Sequence, residues 1–80
     1  MRRVKSEEQY HIKGRGLVYL VTVPDDWCDG TDELTNSLSG TTICIDGKEH
    51  RIRGVEKFAD MRNMHLFPGQ KLGLLVGEPG

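Results

Sequence analysis

Three short strings, each joining a run of β-forming residues to glycine, constrain the fold of this chain most. They occupy residues 10–16, 54–58 and 68–76. Glycine beside such a run marks the point where a strand meets a turn or a bulge. The strings therefore predict short strands separated by sharp changes of direction, and no long stretch has a helical period.

The rest of the sequence adds two strong β signals. The run 17–23 carries β-branched and aromatic residues on both faces, and Pro24 ends it because proline donates no ladder hydrogen bond. Asp46-Gly47 predicts a two-residue type I′ hairpin. That turn places Ile43, Ile45 and Ile52 on one face, and it leaves on the other Cys44, Glu49, Arg51 and Arg53.

These elements predict an all-β fold. Pro68-Gly69 is a turn before a closing strand at 72–76, and residues 1–5 form a loose or edge segment. We expect one domain over residues 1–80, built as a small closed antiparallel β-barrel of about six strands.

The charge balance of the 80 residues is close to neutral. Eleven basic and 12 acidic residues give a formal net charge of −1. A protein that holds RNA mainly through its phosphates is normally basic, so any nucleic-acid affinity should be local and weak. Four residues make a modest basic cluster for that purpose: Arg51, Arg53, Lys57 and Arg62.

The residues that usually carry chemistry are sparse and scattered. Cys28 and Cys44 show no zinc spacing, so we expect two reduced thiols in a cytoplasmic protein without metal or cofactor. No apolar stretch is long enough to span a bilayer, and we expect no membrane partner. Three histidines stand apart from any spaced nucleophile, so we expect no enzyme; they are His11, His50 and His65.

The segment 24–39 is acidic and has no sustained periodicity, which indicates a long loop with a helical turn near Thr31 or Asp32. Trp27 within it has two interpretations: an anchor at a protein interface, or a ring folded back over one end of the barrel. The first makes the chain an acidic protein-interaction module, such as a toxin-immunity or inhibitor protein. Its contact loop would comprise Asp25, Asp26, Trp27, Asp29 and Asp32.

The three strings, in this order, resemble the second domain of translational GTPases of the elongation factor Tu type. Residues 7–16 match the acidic, aromatic, isoleucine and Gly-Arg-Gly opening of that domain; 54–58 match its Gly-Val-Glu-x-Phe element, and 68–75 its closing element. Ala59 and Lys71 depart from the family pattern.

The resemblance implies a closed β-barrel that engages RNA or a translation-related protein. These 80 residues contain no counterpart of the family's GTP-hydrolysing domain, so we expect no GTP binding by this chain. The binding face implied by the resemblance is Glu7, Glu8, Tyr10, Ile12, Arg15 and Glu56.

Two of these residues also have a purely structural interpretation. Arg15 lies between two glycines and can clamp the corner through hydrogen bonds to neighbouring carbonyls or a carboxylate. Glu56 is expected to point outward from its strand and to form a cross-strand ion pair. Its candidate partners are Arg51, Arg53 and Lys57.

Overall fold

The predicted strands form one six-stranded sheet in a computed structural model, which describes residues 1–28, 33–56 and 65–77. The all-β prediction is confirmed. The strands follow the order β1-β4-β5-β6-β3-β2; every neighbouring pair is antiparallel except β1 and β4, which are parallel. Their bounds are β1 Arg2–Val4, β2 Ser6–Ile12, β3 Gly16–Thr22, β4 Thr42–Ile45, β5 Lys48–Glu56 and β6 Lys71–Val76.

The sheet is strongly curled. Strands β1 and β2 are its two edges, yet only Lys5 separates them along the chain, so both edges must come together there. Asp46 stands at this junction: its N–H donates to the Val4 carbonyl at 3.0 Å, and its carboxylate accepts the Ser6 N–H at 2.8 Å. No ladder joins β1 to β2 in the described residues, so the closed barrel stays a prediction.

The turns follow the chemistry of the residues that form them. Asp46 and Gly47 both have positive φ, 54° and 83°, which confirms the type I′ hairpin between β4 and β5. Gly14 and Gly16 have φ of 79° and 127° at the β2–β3 corner. Of the turn or bulge expected where the 54–58 string begins with glycine, the structure has a bulge, because the β5–β6 register shifts between Ile52 and Gly54.

The core lies on the concave side of the sheet. Trp27, in a 3₁₀ turn at Asp25–Trp27, and Leu38, in another at Thr35–Leu38, are buried in the same cluster as the strand residues. The helical turn predicted near Thr31 or Asp32 falls outside the described residues. None of the helical segments in the described ranges has the length and apolar character needed to cross a membrane. The cluster's strand members include Tyr19, Val21, Ile43, Ile45, Ile52, Leu72, Leu74 and Val76.

The start of the chain is more ordered than the sequence suggests. Arg2–Val4 pairs in parallel with β4, and Val4 packs against the core. The prediction of an edge segment is therefore correct, and the alternative of a loose one is wrong. The partner strand β4 lies more than thirty positions further along the chain, so no local pattern in the sequence indicates this parallel pairing.

Candidate functional site

Most of the predicted binding residues share one surface, which we call the outer face: the side of β2, β3, β6 and β5 that is turned away from the core. Directly paired residues in a sheet point to the same face. Tyr10 pairs with Val18, Val18 with Leu75, and Leu75 with Gly54, which makes one transverse row across four strands.

A second row lies beside it on the same face. Glu8 pairs with Leu20, Leu20 with Gly73, and Gly73 with Glu56. Ile12, two residues beyond Tyr10 on β2, also points to this face. The fold therefore brings Glu8, Tyr10, Ile12 and Glu56 together, although 48 positions separate Glu8 from Glu56.

The centre of the outer face is apolar. Val18 is fully buried and Leu75 is 7% exposed, yet neither belongs to the core cluster on the concave side. Tyr10, Ile12 and Leu20 are half-buried around them. The run 17–23 indicates this second apolar layer, because it has β-forming residues on both faces. Which residues of other strands join the layer depends on the strand register.

Gly73 lets the side chains at the centre approach closely. A Cβ at this position would lie 3.0 Å from Val18 Cγ1 and 3.2 Å from Glu56 Cβ. The side chains of Val18 and Glu56 therefore both lie close to the bare backbone of β6 at Gly73.

One margin of the outer face carries an ion pair between Arg15 and Glu56, with Arg15 Nη2 2.5 Å from Glu56 Oε1. The Arg15 side chain is 57% exposed and that of Glu56 21%. The expected pairing of Glu56 with Arg51 or Arg53 is wrong. The bulge in β5 and the approach of the β2–β3 corner bring Arg15 closer to Glu56 than either of them. The third candidate partner, Lys57, lies outside the described residues. Arg15 thus clamps the corner to β5 while its guanidinium stays accessible.

The opposite margin carries a polar cluster that the sequence did not indicate. Lys71 Nζ lies 2.7 and 2.8 Å from the two carboxylate oxygens of Glu7 and 2.6 Å from Thr22 Oγ1, and Thr22 donates to Glu7. The hydrogen bonds from Lys71 and then Thr22 hold the pKa of Glu7 below its usual value. Lys71, a departure from the family pattern, therefore has a defined partner at this margin.

The acidic segment has a different arrangement from the predicted interaction loop. Trp27 is 3% exposed, its Nε1–H donates to the Arg3 carbonyl at 3.3 Å, and the Arg2 guanidinium lies 5.9 Å from its ring centroid. Of its two interpretations, the structure supports the ring that covers the core. Asp25 and Asp26 are exposed, whereas Asp29 and Asp32 lie outside the described residues.

Metal-ligating groups do not converge within the described part of the chain. No three His, Cys, Asp or Glu side chains there are close enough together to hold a metal ion. Cys28 and Cys44 are both free and half-buried.

Comparisons with protein-family models, with curated proteins and with solved structures find no match to this chain. The resemblance to the translation-factor domain therefore stays a prediction from the sequence.

Proposed function

We propose that this protein is a non-catalytic binding module of the translation-factor β-barrel type, and that it engages RNA or a translation-related protein through the outer face. One observation carries the proposal. The strand register gathers Glu8, Tyr10 and Glu56 on a single face, and Arg15 reaches the same face through its ion pair.

The composition of the outer face suits recognition of a partner. An accessible aromatic ring stacks on a nucleobase or packs against an apolar side chain of a protein. Tyr10 is half-buried beside the apolar centre, and the two charged margins are held in place by Arg15–Glu56 and Glu7–Lys71. Charges already fixed by neighbours lose little conformational freedom on binding, which favours affinity.

A second candidate is the acidic protein-interaction module. Asp25 and Asp26 are exposed, and such charges attract a basic protein surface and speed association. The buried Trp27 weakens this candidate, because a ring packed in the core is not available as an anchor.

Variants that alter one surface at a time separate the two candidates. Arg15→Ala and Tyr10→Leu change the outer face, and the double variant Asp25→Asn/Asp26→Asn changes the acidic segment. We expect pull-down from cell lysate, with identification of bound protein and RNA, to lose the wild-type partner with the first two variants only. Thermal unfolding of each variant checks that the fold is retained. Loss of the partner with the Asp variants and retention with the outer-face variants would overturn the proposal.

The chain should not bind GTP. Its sequence has no Gly-x-x-x-x-Gly-Lys-Ser/Thr loop to wrap the phosphates. Calorimetric titration of the purified protein with GTP is expected to give no heat of binding, and a saturable signal would contradict this expectation.

A further inference from the structure

A cavity of about 500 Å³ opens at one end of the concave side, away from the outer face. We call it the end pocket. On β2, β3 and β6 one transverse row of inward-facing residues borders it: His11 pairs with Leu17, and Leu17 with Val76. Tyr19 stands one row deeper. Across the opening, the β4–β5 hairpin contributes Lys48 and His50.

The end pocket combines an apolar floor with a basic rim. Leu17 is half-buried, Tyr19 is 8% exposed and Val76 is buried, so the floor is hydrophobic. The rim carries the Lys48 ammonium and the imidazoles of His11 and His50, and no carboxylate lines the cavity in the described residues. Small-molecule sites have this composition: mostly apolar walls with a few polar groups that orient the ligand.

Two contacts keep the rim in position. The rings of Tyr19 and His50 pack with centroids 5.0 Å apart, which fixes His50 against the floor. The Asp46 carboxylate, at the turn of the same hairpin, accepts hydrogen bonds from the N–H and the hydroxyl of Ser6, which orient it toward β2. Its negative charge still acts on His50 and opposes the effect of Lys48 there.

We propose that the end pocket binds a small amphipathic anion, of the class of aromatic carboxylates, with its ring on Leu17, Tyr19 and Val76 and its acid group between Lys48 and His50. A carboxylate there accepts charge-assisted hydrogen bonds from Lys48 and from an imidazole N–H. The aromatic body gains from burial against the floor. This site is independent of the outer face.

Affinity should depend on pH in a defined direction. Burial, and then the nearby Lys48, lower the pKa of His50, while Asp46 opposes them. The charged and titratable groups around His50 are Lys48, Asp46, Glu49, Arg51 and Arg53 from its own hairpin, and His11 and Tyr19 from the facing strands. His50 is thus neutral at neutral pH, and its protonation on acidification adds a positive charge beside the bound anion. Binding should strengthen as pH falls, down to the range where the ligand carboxylate itself becomes protonated.

The test titrates isotope-labelled protein with 2-naphthoate and with the neutral analogue 2-naphthamide, followed by amide chemical shifts. We expect saturable shifts at residues 17–19, 48–50 and 76 with naphthoate, and affinity at least about fivefold weaker with the amide, since one charge-assisted contact is lost. Lys48→Gln should remove most of this preference. Lys13→Gln is the matched control, because Lys13 is exposed and lines no cavity that includes Lys48 or His50.

Three results would each overturn the proposal: no saturable shift at these residues, equal affinity for the two probes, or an equal loss with Lys13→Gln and Lys48→Gln. Retention of naphthoate binding in Arg15→Ala separates this site from the outer face.

Discussion

At the scale of single residues, Gly73 determines how closely the outer face packs. Replacing it with alanine puts a methyl group 3.0 Å from Val18 Cγ1 and 3.2 Å from Glu56 Cβ. Val18 is fully buried and has no room to yield, so we expect Gly73→Ala to lower the free energy of unfolding by about 1–3 kcal/mol. Urea denaturation measures the change.

Gly54→Ala is the matched control for this prediction. A Cβ at Gly54 meets only Leu75 Cδ2 at 3.9 Å, an ordinary contact, so its effect should be small. Equal losses in the two variants would show that glycine flexibility, and not the space above β6, governs both positions.

Glu7 and Lys71 provide a second test at this scale. Lys71→Met removes the group that contributes most to the lowered pKa of Glu7, so that pKa should rise toward its ordinary value while Thr22 retains part of the shift. Carboxyl resonances followed during an NMR titration measure it. Lys13→Met is the control at another exposed lysine, and an identical pKa of Glu7 in Lys71→Met and wild type would contradict the assignment.

At the scale of structural elements, the features that depend on local sequence were predicted better than the features that depend on long-range contacts. The positive φ angles of Asp46 and Gly47 follow from the Asp-Gly dipeptide. The burial of Ile43, Ile45 and Ile52 follows from the alternation of apolar residues along the strands. The parallel pairing of β1 with β4 follows from no local pattern, because Arg2–Val4 has one apolar residue and its partner strand is far along the chain. Arg15–Glu56 and Glu7–Lys71 were missed for the same reason: each depends on the relative register of separate strands.

The 3₁₀ turn that contains Trp27 gives a prediction for its element. Because the ring is buried in the core cluster, Trp27→Ala should destabilise the fold by about 3–5 kcal/mol, and Trp27→Phe by less. Asp26→Ala, at an exposed position in the same turn, should have little effect. Denaturant unfolding compares the three variants. Equal stability of Trp27→Ala and wild type would restore the tryptophan as a candidate interface anchor.

At the scale of the whole molecule, the lowered pKa of His50 links stability to pH. The unfolded chain binds a proton at His50 more readily than the folded protein does. This contribution to stability is therefore complete at pH above the ordinary histidine pKa of ~6.5, and it is lost as the pH falls from there through the lower pKa that His50 has in the folded protein. His50→Gln should flatten the fall in melting temperature between about pH 7.5 and 5.5. His65→Gln, at an exposed position, is the control, and unchanged pH profiles in both would contradict the linkage.

The position of β1 and β2 at opposite edges has a consequence for the order in which the protein assembles. During synthesis β1 leaves the ribosome before β4, yet Arg2 has no partner until Ile43 has emerged. Closing so long a loop is entropically slow compared with forming the β2–β3 and β4–β5 hairpins. Strand β1, although it is made before β4, is therefore among the last strands to pair. Until it pairs, its backbone hydrogen-bonding groups are exposed, and the charges of Arg2 and Arg3 disfavour pairing with another chain.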